Sequence, residues 1–113
     1  MFGMGVNIEK CLKANKGDKV EKAFNKADKA KKLSMIAEMG QCNRDQSSAI
    51  LCTIIKSSDE DIRLAAVKAL GQVGFSPAIT HLRRLIGAEQ NQEIKAAAVD
   101  ALEKLQQKYH NVL

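Results

Sequence analysis

The sequence contains no tryptophan, one proline and four aromatic residues in a chain of 113. Strands are normally rich in aromatic and β-branched residues, so this scarcity disfavours a β-sheet. Alanine, leucine, lysine and glutamate are common instead, and all four favour helices. The single proline leaves most of the chain free of the residue that breaks helices. The composition therefore predicts one all-α domain over residues 1–113.

Long apolar runs are also missing from the sequence. No stretch approaches the roughly 20 apolar residues needed to cross a bilayer, and residues 1–6 are too short for a signal-peptide core. We therefore expect a cytoplasmic protein with no membrane partner.

The spacing of the cysteines disfavours a metal site or a disulfide framework, because Cys11, Cys42 and Cys52 form no CxxC pair and lack a histidine at zinc-finger spacing. We expect three free thiols, no metal site and no cofactor.

Charge is unevenly distributed along the chain. Residues 1–32 hold nine lysines and four acidic residues, and so carry the whole formal net charge of +5. Clustered lysines attract nucleic acid, acidic proteins or anionic membrane surfaces. The lysines alternate with acids, however, and no arginine and a single aromatic residue, Phe24, lie among them, which favours a solvated helix face over base reading. The nine are Lys10, Lys13, Lys16, Lys19, Lys22, Lys26, Lys29, Lys31 and Lys32.

The sequence repeats itself with a period of about 31 residues. Residues 61–70 return as residues 93–102, and residues 64–72 are preceded by a similar segment at 33–41. A second segment, residues 45–55, returns as residues 76–86. Each repeat therefore consists of a first helix, a tight turn and a second helix.

Turn and cap residues support this division. Asp45 and Ser76 are expected to cap the second helices, with Pro77 in the first turn of its helix. Gly40 and Gly74 are expected to lie at the ends of first helices. The pattern predicts about seven helices, with boundaries uncertain by roughly two to four residues: 7–15, 18–26, 28–40, 45–56, 60–71, 76–87 and 92–109.

The ends of the chain differ from its middle. Residues 28–109 hold the recognisable repeats, whereas residues 1–27 form a basic, degenerate helix pair that is expected to cap the N-terminal end. On the last helix, Leu102, Leu105 and Tyr109 have no following helix to cover them. We therefore expect self-association through the C-terminal helix.

Residues 59–74, DEDIRLAAVKALGQVG, resemble the signature of HEAT repeats, in particular the HEAT-like repeats of phycobilin lyases. The resemblance implies a short right-handed alpha-alpha superhelix of the armadillo type, a HEAT-like solenoid. It also implies a ladder between repeats, with Asp59 and Arg63 at the ladder positions of the middle interface. The third copy departs from this pattern, because Lys95 stands where arginine is expected and Asn91 where aspartate is expected.

In such solenoids the resemblance places the second helices on the concave, partner-binding side. Removing the buried stripe from these helices leaves six candidate partner-binding residues, Ala49, Thr53, Lys56, Thr80, Arg83 and Arg84. Arg83 and Arg84 form a small cationic centre, and the planar donors of arginine suit carboxylate or phosphate recognition.

No catalytic set is evident in the sequence. No nucleophile or orienting carboxylate lies near His81 or His110 at a spacing typical of a catalytic site. The sequence also has no phosphate-binding glycine loop, nucleophile elbow or HExxH motif. We therefore predict a non-catalytic protein-interaction or scaffolding module. The alternative is binding to the phosphate backbone of nucleic acid through the N-terminal lysines with Arg83 and Arg84. A third hypothesis, an accessory to a chromophore lyase, rests on the resemblance alone.

Overall fold

The computed structural model describes residues 7–110, except for the side chain of His110. Within that range it contains seven helices and no strand, so the all-α prediction is confirmed. Every helix boundary lies within two residues of its predicted position. The helices are α1 (Ile8–Lys13), α2 (Gly17–Lys26), α3 (Lys29–Gln41), α4 (Asp45–Ile54), α5 (Glu60–Val73), α6 (Ala78–Ala88) and α7 (Gln92–His110).

The helices form two layers. The first helices α3, α5 and α7 lie side by side, with α5 packed along both of its neighbours. The second helices pack onto the first-helix layer, α4 mainly on α5 and α6 mainly on α7, and touch each other at only a few positions. This arrangement is the solenoid stack that the repeats predict.

Small residues set the spacing of the first-helix layer. Gly40 faces Ala69 across the α3/α5 interface, and Gly71 faces Ala101 across the α5/α7 interface. A Cβ atom on either glycine would lie 3.1 Å from the opposing alanine Cβ, so these backbones approach about as closely as side chains allow. The second helices are more widely separated from one another than the first helices are. The expectation that the second helices line the concave side stays a prediction.

One continuous apolar core lies between the two layers. Its most deeply buried large side chains come from every helix. Ile8 on α1 and Val20 and Phe24 on α2 join this core, so the basic N-terminal pair is folded against the repeats. The other large side chains with under 2% exposure are Ile36, Met39, Leu51, Val67, Leu70, Leu82, Ile94 and Leu105. Cys42 and Cys52 are buried and Cys11 is half-buried, all as free thiols.

The three first helices of the repeats share a cap. Asp28, Asp59 and Asn91 each accept backbone N–H hydrogen bonds at the start of α3, α5 and α7. A side-chain oxygen at this position satisfies N–H groups that have no partner within the helix. The repeat pattern is therefore also a pattern of helix starts.

The predicted caps of the second helices are wrong. α4 begins at Asp45 itself, after Arg44, and neither α4 nor α6 has a side-chain cap. At α6, the N–H groups of Ala78 and Ile79 donate instead to the carbonyls of Phe75 and Ser76, at 3.1 and 3.0 Å, so backbone groups close the first turn and the Ser76 side chain has no capping role.

Of the two glycines predicted to lie at the ends of first helices, one ends its helix and the other does not. Gly74 ends α5 with φ of 75°, a left-handed conformation that glycine adopts without strain, as predicted. Gly40 is helical, because α3 continues through Gln41, and its role is the close packing described above.

The C-terminal helix is better covered than its sequence indicates. Leu105 is 1% exposed, and Leu102 and Tyr109 are half-buried where α7 packs on α5 and α6. The Tyr109 hydroxyl donates a 2.8 Å hydrogen bond to the Gly74 carbonyl. The expectation that these three side chains are uncovered is wrong, which removes its reason for self-association. Among the described residues, no helix is both long and apolar enough to span a bilayer.

Candidate functional site: the groove between the second helices

A groove lies between α6 and the turn that follows α4, beside the start of α5, and we call it the α4/α6 groove. Its volume is about 400 Å³. Ile55, Leu85 and Ala88 give it apolar walls. Lys56 and Arg84 are exposed at its mouth, beside the half-buried His81. The groove combines an apolar interior with cations at the solvent edge.

One end of the groove is closed by the ion pair of Arg63 and Glu89. Arg63 Nε lies 3.0 Å from Glu89 Oε1, and Nη2 lies 2.9 Å from Oε2, so the guanidinium donates two parallel hydrogen bonds. The remaining nitrogen, Nη1, donates to the carbonyl oxygens of Ser57 and Ser58. The side chains of Arg63 and Glu89 are 17% and 5% exposed. This pair fastens the loop before α5 to the loop before α7.

Electrostatics hold this ion pair in its charged form. The hydrogen bonds from Arg63 keep the pKa of the Glu89 carboxyl below its ordinary value, and the backbone N–H of Asn91 adds a further donor. The same hydrogen bonds to Glu89 raise the pKa of Arg63. Because each charge is neutralised by the other, the pair contributes shape to the groove and little net charge.

The ladder differs from the one implied by the family resemblance. Asp59 makes no hydrogen bond to Arg63 among the described residues, because its carboxylate caps α5 and faces Lys29, at 3.3 Å. Lys29 also contacts Asp61, at 2.6 Å. Asp59 and Arg63 are therefore both in ion pairs between repeats, as their ladder positions imply, but their partners are Lys29 and Glu89, which the family pattern does not mark. Two rungs are present instead, Lys29 to Asp59 and Asp61 across the α3/α5 interface, and Arg63 to Glu89 across the next.

All six candidate residues predicted from the sequence are exposed on the second-helix surface. The structure brings Lys56 and Arg84 together at the α4/α6 groove. Thr53 lines a second cavity of about 280 Å³, together with Lys56, between α2, α3 and α4. Ala49, Thr80 and Arg83 lie on the same surface but line neither cavity.

The interior of the groove does not follow from the sequence pattern. Ile55 and Leu85 are apolar positions of the second repeated segment, and only the packing of the elements leaves Leu85 half-buried at a cavity. Glu89 follows α6 at a position whose equivalent in the preceding repeat, Ser58, is not acidic, so no repeat signal marked it. His81 is half-buried as predicted, and no carboxylate within residues 7–110 hydrogen-bonds to it.

The N-terminal lysines are divided among several environments. Lys13 pairs with Glu9 at 3.6 Å, and Lys32 lies over the ring of Phe24, 5.4 Å from its centre. Lys19, Lys22 and Lys26 are exposed on α2, in the same layer as Arg83 and Arg84. In the described part of the chain, no three His, Cys, Asp or Glu side chains are grouped to hold a metal ion.

Comparison with known proteins gives one match. The family model for HEAT repeats matches residues 18–103, which is most of the chain. No curated protein and no solved structure matches, so the similarity to phycobilin lyases stays a prediction. HEAT repeats are generally protein-interaction scaffolds, and the family is typically non-catalytic. The repeated first helices, the two-layer stack and this match show that the chain belongs to the HEAT-repeat family.

Proposed function

We propose that this chain is a non-catalytic interaction module that binds a protein partner through the surface lined by its second helices. The α4/α6 groove is the observation that carries the proposal, because a cavity, apolar walls and two exposed cations coincide there. The binding residues are the six named above, with Lys56 and Arg84 at the centre and Ala49, Thr53, Thr80 and Arg83 around them.

The composition of this surface supports binding to a protein. Protein interfaces combine an apolar centre with a polar rim, and arginine is enriched in them. The α4/α6 groove supplies the apolar centre through Ile55 and Leu85, and Lys56 and Arg84 supply the rim. Neither cation makes an ion pair with another residue of the described chain, so both are available to a partner.

The proposal is tested by affinity capture from native lysate, with the captured proteins identified by mass spectrometry. The wild type is compared with an Arg83→Glu/Arg84→Glu variant, which reverses two exposed charges on α6. The matched control is Lys68→Glu/Lys104→Glu, which reverses two exposed charges beside the cavity between α5 and α7. We expect a nuclease-resistant partner that is retained by the control and lost by the α6 variant. Equal capture by both variants contradicts the proposal.

Nucleic-acid binding is the second candidate. It is favoured by the placement of Lys19, Lys22 and Lys26 in the same layer as Arg83 and Arg84. Contacts to phosphates release counterions, so the logarithm of the binding constant would fall steeply with the logarithm of salt concentration. Capture that disappears after nuclease treatment, together with a steep salt dependence for a DNA or RNA duplex, would replace the protein-binding proposal with this one.

A further inference from the structure

We infer that the α4/α6 groove recognises a peptide segment in which an apolar side chain stands next to a carboxylate. This inference rests on the proposed function and specifies the chemistry of the partner. Two features of the groove lead to this inference: its apolar interior, and two exposed cations that have no acidic partner among the described residues.

The interior of the groove fits an aliphatic side chain. A volume of about 400 Å³ lies near the lower end of the range for small-ligand sites, roughly 300–1,000 Å³. Ile55, Leu85 and Ala88 offer hydrocarbon surface, which favours burial of a similar surface from the partner. An aliphatic side chain therefore gains more from entering the groove than a charged or amide side chain, which would lose hydration there.

The charges around the groove select an anion. Glu89 is neutralised by Arg63, and the exposed Glu60 lies 3.8 Å from the same guanidinium. Lys56 and Arg84 are the cations of the groove that have no such acidic partner within residues 7–110. A carboxylate of the partner completes this arrangement, and Arg84 can donate two hydrogen bonds to it.

The position of these cations fixes the order of the two groups in the partner. Lys56 lies in the turn after α4 and Arg84 lies on α6, both exposed, and the apolar residues Ile55, Leu85 and Ala88 line the same groove. A segment with an aliphatic residue flanked by acidic residues places the apolar group in the groove and a carboxylate at either cation. A basic segment of the same length would set its charges against Lys56 and Arg84, which is unfavourable.

The test uses three synthetic peptides and NMR titration of the isotope-labelled full chain. The probes are acetyl-Gly-Asp-Leu-Glu-Leu-amide, the same peptide with both acidic residues replaced by lysine, and the same peptide with both leucines replaced by glycine. We expect the first peptide to shift the amide signals of groove residues and to bind at least about fivefold more tightly than either of the others. Equal binding by the lysine peptide, or no shift at the groove with the first peptide, overturns the inference.

Two protein variants separate the contributions of charge and shape. Lys56→Glu/Arg84→Glu removes the cations, and Ala88→Phe narrows the groove at an exposed position that folding tolerates. Both are expected to weaken binding of the first peptide, whereas the Lys68→Glu/Lys104→Glu control is expected to bind it normally. If the peptide does not bind but the lysate partner is still lost by Arg83→Glu/Arg84→Glu, the inference fails and the proposed function stands. If that partner is unaffected by the α6 charges, the proposed function itself fails.

Discussion

The α3/α5 and α5/α7 interfaces occupy equivalent places in successive repeats, yet they are fastened differently. Both bring a glycine against an alanine, at Gly40 and at Gly71. At the first interface the cation is Lys29, which is 51% exposed and faces two acids that are themselves exposed. At the second interface it is Arg63, 17% exposed and joined to Glu89 by two hydrogen bonds. The repeated glycine–alanine contact therefore sets the spacing of the first helices. The ion pair differs between the two interfaces and decides how strongly each interface is stabilised.

The difference follows from the geometry of the two cations. Lysine is a point charge on a flexible stem, and an exposed ion pair of this kind is weakened by water and salt. Arginine presents a planar fork, and here its third nitrogen also satisfies two carbonyl oxygens of the α4–α5 loop. Arg63 thus joins Glu89 to the carbonyl groups of the α4–α5 loop, whereas Lys29 contacts two exposed carboxylates.

The largest expected effect comes from breaking the second junction. Arg63→Ala leaves the 5% exposed Glu89 carboxylate without its partner and frees the carbonyls of Ser57 and Ser58. We expect a loss of about 2–3 kcal/mol in the free energy of unfolding, somewhat below the effect of breaking a fully buried pair because Arg63 keeps contact with water. Urea unfolding followed by circular dichroism measures it.

Lys29→Ala is the matched control at the first junction. It removes a cation from an equivalent edge of the stack, but its partners Asp59 and Asp61 stay hydrated. We expect a smaller loss of stability than for Arg63→Ala, and one that vanishes at high salt. Equal losses for the two variants would show that burial and fork geometry do not distinguish the junctions.

The next largest loss of stability is expected from disturbing the close contact between Gly71 and Ala101 at the α5/α7 interface. Gly71→Val adds a branched side chain where a single Cβ already lies 3.1 Å from Ala101 Cβ and 3.3 Å from its Cα. We expect a loss of about 1–2 kcal/mol, because the rigid α7 backbone must move away. The control is Gly87→Ala on α6, where an added Cβ meets nothing within 4 Å, and there the better helix propensity of alanine should add roughly 0.5–1 kcal/mol. Thermal unfolding of both variants gives the comparison, and a stabilising Gly71→Val would contradict close packing.

The fold was predictable because its signals are local and repeated. Apolar spacing along each helix located all seven, and the match between residues 61–70 and 93–102 indicated that neighbouring units stack. The start of α6 was not predictable from Ser76. The first turn of α6 is closed by a hydrogen bond to the carbonyl of Phe75, which depends on the conformation of the preceding loop. The close spacing of the first helices depends on small residues facing each other, and in the sequence only Gly40 and Gly71 indicate it.

The candidate site was predictable in part. Exposure of Lys56 and Arg84 follows from helical periodicity, because both lie opposite the buried stripe. Their joint position at one cavity depends on how far α4 stands from α6, and this distance is not encoded in either helix alone. Glu89 is paired with a residue 26 positions earlier in the chain, so local spacing could not reveal the wall it forms.

The smallest expected effect appears when pH is used to weaken the second junction. The pKa of Glu89 is lowered from its ordinary 4.5 by the hydrogen bonds from Arg63, so the folded state binds a proton there less readily than the unfolded chain. Its contribution to stability is therefore complete above the unfolded pKa and is lost as pH falls through the lower, folded value. We expect the wild type to be more stable than Glu89→Gln at pH 7, with the difference shrinking as pH falls below the ordinary value of 4.5. Urea unfolding of both proteins across this range measures the difference, and a gap that stays constant on acidification would mean that the charge of Glu89 does not stabilise the junction.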